Sequence, residues 1–155
     1  MNLKALLHKH NPKNFNAWKD KFQASFLINL KKWMKKENIS LKFIKNYYEV
    51  LFYWSFVNFK RELQLKNLLE LNNFTVKFSN LKLDSIFKVD LIVKKNNIRY
   101  FLQLKNKFEN LNQEEKQILM HFSNSRNSIP ILVIRKGNKY IFWNLIIQEE
   151  VKFLE

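Results

Sequence analysis

Phe87-Lys88-Val89-Asp90-Leu91-Ile92-Val93 and, after a short polar turn, Tyr100-Phe101-Leu102-Gln103-Leu104-Lys105 decide how this chain reads. Both runs are apolar enough to be strands, yet the first holds an aspartate and the second a glutamine and a lysine. An unpaired carboxylate or ammonium is costly to bury, so strands built for packing alone rarely carry one. Residues two apart on a strand share a face, so Gln103 and Lys105 point one way and Leu102 and Leu104 the other. An antiparallel neighbour can set Asp90 beside them.

Working outward, Lys95-Asn96-Asn97 reads as the hairpin turn between strands at 86–94 and 98–105, with a further strand at 74–79 before them. A helix at 112–124 follows, with Asn112 as N-cap and Glu114 and Glu115 in its first turn. Strands at 130–135 and 140–143 then flank Lys136-Gly137-Asn138-Lys139, and a short helix is expected from Ile146. Upstream, Trp18, Phe22, Phe26, Leu30, Trp33 and Met34 recur at helical spacing within residues 14–36. A second helical run covers 41–71, with a break expected near Asn58; Asn72-Asn73 ends it. The expected fold is α/β: a helical N-terminal extension over 1–40, then a domain over 41–155 built as helix, three strands, helix, two strands.

The 155 residues carry a net charge of +15, with 46% hydrophobic and 15% aromatic residues. Such a chain buries a core, and its charge favours a polyanion: DNA, RNA or an anionic membrane surface. There is no cysteine, hence no disulfide or thiolate metal site, and only one glycine, which excludes a P-loop or a dinucleotide loop. The first ten residues lack the apolar core of a signal peptide. No run reaches the ~18 apolar residues of a membrane span. An intracellular (cytoplasmic) protein is expected.

Asp90 offers a hard oxygen to Mg²⁺, the Gln103 side-chain carbonyl a second, and the Leu104 backbone carbonyl a third. Lys105 could orient or deprotonate an attacking water, or stabilise charge on a phosphorane-like transition state. A fourth member should come from the helix leading into the sheet. Glu62, twelve positions before Phe74, is the candidate; Glu49 is a weaker one, and Glu70 reads as a solvated helix-end residue.

Glu62, Lys88-Val89-Asp90-Leu91-Ile92-Val93 and Phe101-Leu102-Gln103-Leu104-Lys105 together resemble the PD-(D/E)xK nuclease superfamily. The look is that of small Holliday-junction-resolvase-like or transposon-type endonucleases. The resemblance runs from about Arg61 to Trp143. It extends to Gln113 or Gln117 on the following helix and to Pro130-Ile131-Leu132-Val133-Ile134. It implies a restriction-endonuclease-like core and Mg²⁺- or Mn²⁺-dependent hydrolysis of DNA, with branched or recombination-intermediate DNA as the candidate substrate. Glu62, Asp90, Gln103 and Lys105 would be its catalytic set, with Glu62, Asp90, Gln103 and the Leu104 carbonyl on the metal. A homodimer is implied as well, because cutting two strands needs two such sites. Two departures stand out: Gln103 where an acid is usual, and Asn73 where a glycine is usual.

Lys107 and Arg126 are the expected phosphate contacts near the cleft, with Lys94 and Lys95 as further candidates. His8, His10 and His121 are too scattered to form a metal set. Two other readings stay open: a nuclease fold that binds nucleic acid without cutting, motivated by Gln103, and an unrelated basic RNA- or ribosome-associated protein, motivated by the lysine excess.

Overall fold

The structure, a computed structural model, describes residues 1–106 and 112–154. The chain falls into two compact units, Met1–Arg61 and Glu62–Glu155, rather than dividing at residue 40. The shift has a packing cause. Trp18 of the expected extension stacks on Phe52 at 5.0 Å and donates its indole N–H to the Phe52 carbonyl, while Phe26 stacks on the same ring. Residues on both sides of position 40 therefore share one aromatic core.

The first unit is helical: α1 (Leu3–His10), α2 (Phe15–Lys36), a 3-10 turn at Leu41–Phe43, α3 (Ile44–Tyr48) and a π-helical turn at Glu49–Tyr53. The first part of α4 (Trp54–Leu71) completes it. Asn2 and Asn14 cap α1 and α2 by accepting from the Ala5 and Ala17 amides. The break expected near Asn58 does not occur. The irregularity lies earlier, in the π turn, whose extra residue per turn accompanies the insertion of Phe52 between Trp18, Phe26 and Tyr48.

The second unit is a mixed α/β layer. Its six strands are β1 (Thr75–Phe78), β2 (Leu91–Lys95), β3 (Ile98–Lys105), β4 (Ile129–Lys136), β5 (Lys139–Asn144) and β6 (Glu149–Val151). They lie side by side in sequence order; β3 and β4 are parallel and every other pair is antiparallel. The parallel pair requires a crossover, and α6 (Gln113–Ser125) is the helix in that connection. Leu65 and Leu69 of α4 pack with Val76, Leu91, Val93, Leu102, Ile131 and Val133. Leu119 and Phe122 of α6 pack with Phe101, Leu132 and Ile134. Alternating strand residues thus feed two cores, one under each helix.

With one glycine in the sequence, asparagine takes the left-handed backbone positions. Six of the eight non-glycine residues with positive φ among those described are asparagines, including Asn73 after α4 and the Asn96-Asn97 pair of the β2–β3 turn. Two expected elements differ. The strand expected from residue 86 starts only at Leu91, because a short helix, α5 (Leu81–Ser85), capped by Asn80, intervenes and Lys88 turns left-handed (φ 62°). The helix expected from Ile146 is a turn leading into β6. Asn144 accepts from the Ile146 and Ile147 amides, Gln148 adopts φ 56°, and the chain returns along β5. Phe153 then closes the α4-side core against Phe74, Tyr100 and Phe142.

Asn112 caps α6 by accepting from the Glu115 amide at 2.8 Å. Asn112→Ala is expected to lower stability by about 1 kcal/mol, a melting shift of about 2–4 °C, by freeing the first turn of α6. Thermal denaturation followed by circular dichroism checks this.

Candidate active site

Asp90 lies one residue ahead of β2, yet it already belongs to the sheet. Its amide donates to the Leu102 carbonyl at 2.8 Å, and its carbonyl accepts from the Ser79 amide at 3.1 Å. Val89 and Leu91, on either side of it, sit in the cores on opposite faces, so regular alternation breaks at this residue. The left-handed Lys88 and the short α5 account for the break. The Asp90 side chain reaches across to the next strand, where Oδ2 accepts from the Leu104 amide at 2.8 Å.

Asp90 is only 9% exposed. Burial pushes its carboxyl well above the usual carboxylate range, and the charges of Glu62 and Asp84 push in the same direction. The Leu104 amide opposes them, and a side-chain hydrogen bond shared with Asp84 adds to the rise. Three acidic side chains from α4, α5 and the entry to β2 therefore crowd one end of the sheet. Desolvated like charges favour a shared proton or a bound cation.

Gln103 and Lys105 both lie on the α6 side of β3, as their spacing requires. Gln103 is 5% exposed, and its Oε1 is buried without a hydrogen-bond partner. Such an orphaned carbonyl costs about 1–3 kcal/mol, which a ligand or cation can offset. Lys105 lies 3.4 Å from Glu115 Oε2, a buried oxygen that has no hydrogen bond of its own. Both partners are about one-quarter exposed, so the pair is partly screened. Glu115 is at the third position of α6, where the helix N-terminus also favours a carboxylate.

A divalent cation would find oxygen donors here in Asp90, Glu62 and the Gln103 carbonyl, with the Leu104 backbone alongside. The orphaned Gln103 oxygen and the crowded carboxylates fit such a group. Among the described residues, no set of three Asp, Glu, His or Cys side chains has metal-holding geometry, so the fit depends on the neutral glutamine oxygen.

The other expected residues fall elsewhere. Lys94 and Lys95 lie at the hairpin end of β2, about 13–17 Å along the strand from Asp90. Lys95 is engaged there, donating to the Asn72 carbonyl and lying over the Phe74 ring. Arg126 caps the C-terminal end of α6, about 16 Å along the helix from Glu115, with its guanidinium over Phe122 and its carbonyl accepting from Arg99. These three cations therefore gather at the end of the sheet opposite Asp90. Lys107 lies outside the described residues. Glu49 belongs to the first unit and is exposed, and Glu70 pairs with Lys66 on the surface of α4. His8 packs on Phe59 and His10 on Phe22, while His121 is exposed on α6.

Two residues of the cluster escape the sequence reading. Asp84 falls in a stretch that reads as a loop; Asn80 three residues before Leu83 is a cap signal for the helical turn, but nothing local places Asp84 against Asp90. Glu115 reads only as a first-turn acid that suits the helix dipole. Its pairing with Lys105 exists only once α6 packs on β3.

No protein-family model matches the chain. No curated protein matches it. Among solved structures, the chain is similar to Hjc from Archaeoglobus fulgidus, described as a Holliday junction resolvase from an archaeal hyperthermophile. The two are 14% identical, with a TM-score of 0.48, over 56% of this chain and 74% of that one.

Proposed function

We propose that the chain is a divalent-metal-dependent endonuclease of the PD-(D/E)xK kind, hydrolysing phosphodiester bonds of DNA. The observation that carries this reading is the buried Asp90 carboxyl under the influence of Glu62 and Asp84, with the orphaned Gln103 amide on the adjoining strand and Lys105 two residues beyond it. Glu62, Asp90, Gln103 and Lys105 stand in the order and spacing of the superfamily motif. Glu62, Asp90, Gln103 and the Leu104 carbonyl would hold Mg²⁺ or Mn²⁺, which would offset the carboxylate charge and polarise the scissile phosphate. Lys105 contributes its ammonium to the charge that builds on the phosphate oxygens or to the attacking water. Glu115 holds Lys105 in place and balances its charge, a task the neutral Gln103 cannot perform.

The test is cleavage of branched, linear and supercoiled DNA with Mg²⁺ or Mn²⁺. Cutting that stops with chelator supports the proposal, and no cutting of any form overturns it. Gln103→Glu restores the usual acid and is expected to lower the Mg²⁺ concentration for half-maximal cutting by about tenfold, since one more charge joins the ligand set. A metal titration of initial rates reads this. One observation favours a second reading, in which the fold binds DNA without cutting: no three-residue metal set exists among the described acids and histidines. In that case wild type binds DNA but does not cut it.

A further inference from the structure

The net positive charge of the chain sits mainly outside the unit that carries the acidic cluster. Up to Arg61 the sequence has thirteen Lys or Arg against three Asp or Glu; after it the numbers are fifteen and ten. Within the first unit, Trp33, Phe43, Tyr47, Val50 and Leu51 line an apolar groove of about 600 Å³. Trp33 is 43% exposed and Phe43 44%, far from the core positions that the aromatic stripe of α2 otherwise fills. The Trp33 ring meets Tyr47 edge to face at 5.5 Å, and the Lys42 ammonium lies 5.0 Å from the centre of the Phe43 ring. Lys32 and Lys36 flank Trp33 on α2, and Lys45 follows Phe43 by two residues; all three are exposed.

We infer that this groove docks unpaired DNA, with bases against Trp33, Phe43 and Tyr47 and the phosphates along the surrounding lysines. Partly exposed aromatic rings beside a row of cations are what single strands use, because every base has a stacking face and every linkage a charge. Three other occupants fit less well. A lipid surface is flat, whereas these rings line a concavity. A second copy of this chain would bring another thirteen cations against the same lysines. A purely acidic partner would leave the rings unused. The inference rests on the DNA reading above and adds a location: the grip on unpaired strands lies in the helical unit, separate from the site that would cut.

The experiment measures binding of labelled oligothymidylate and of a blunt duplex of equal length by fluorescence anisotropy, using the full chain in chelator. Trp33→Ala is expected to weaken oligothymidylate binding by about tenfold and duplex binding by less than about twofold. Phe43→Ala, on an exposed turn, serves as the second variant, and circular dichroism confirms that each is folded. Poly-glutamate, which has charge without rings, is expected to compete weakly. Unchanged oligothymidylate binding in both folded variants overturns the inference. So does equal loss on single strand and duplex, or equally strong competition by poly-glutamate. Loss in Trp33→Ala of anionic-vesicle binding or of self-association, with oligothymidylate binding intact, also overturns it in favour of that occupant. Chelator removes cleavage from the readout. A chain that cuts nothing but grips single strands through Trp33 therefore sinks the nuclease reading and leaves this one standing.

Discussion

In metal-free buffer at neutral pH, Asp90→Asn is expected to melt above wild type, while in Mg²⁺ it should not cut DNA at all. Both effects come from one cause. Burial and the neighbouring Glu62 and Asp84 raise the Asp90 carboxyl well above its ordinary 3.8, so the folded state holds that proton more tightly than the unfolded chain does. By linkage, the stabilising contribution of the protonated form is complete below the unfolded value and is lost as pH rises through the folded one. Wild type is thus progressively penalised from about pH 4 upward. The asparagine variant carries no charge there, and its side-chain oxygen still suits the Leu104 amide. The variant is expected to melt higher than wild type at pH 7–8, with the gap closing as the pH falls toward 4. Mg²⁺ should stabilise wild type by about 2.7 kcal/mol at a hundredfold excess over its dissociation constant, and the variant much less. Melting curves from pH 4 to 8, with chelator or Mg²⁺, decide the point. An Asp90→Asn protein that melts lower than wild type throughout and keeps the same pH slope would contradict the electrostatic account.

Lys105→Ala is expected to lower the single-turnover cleavage rate by about 10²–10⁴-fold, with DNA affinity nearly unchanged. One partly exposed ammonium contributes little to affinity, whereas under the proposed function it would meet, at the reacting phosphate, charge that develops only in the transition state. Glu115→Gln keeps the ammonium but removes the carboxylate 3.4 Å from it, so a smaller loss, about tenfold, is expected. The double variant should be no slower than Lys105→Ala alone, because both changes act through the same side chain. Glu115→Asp, with a shorter reach to the same charge, should recover part of the Gln loss. Additive losses in the double variant would show that Glu115 acts independently of Lys105.

The parts of the site legible in the sequence are those governed by local rules. Period-two alternation put Gln103 and Lys105 on one face of β3, and the asparagine pair at 96–97 marked the turn that brings Leu91 opposite Leu102. Asn112 marked the start of α6. Where alternation was assumed to continue, it failed: Lys88 and α5 interrupt the strand before Asp90. The helix expected from Ile146 likewise gives way to β6, because Asn144 and Gln148 reverse the chain. Those departures depend on single φ angles and side-chain caps, which hydrophobic pattern does not record.

By itself, then, the sequence determined the charge, the helical N-terminal region, the β2–β3 hairpin and the polar residues lodged in it, since each follows from composition or from contacts a few residues apart. Tertiary structure alone decided three things. It brought Asp84 and Glu62 to Asp90 and Glu115 to Lys105, from elements many residues apart. It carried Arg126, Lys94 and Lys95 to the far end of the sheet, because α6 runs back along β3 and the hairpin turns away from Asp90. And it buried Trp18 and Phe26 while leaving Trp33 of the same helical stripe open, because near the end of α2 the packed face follows Leu30 and Met34 rather than Trp33.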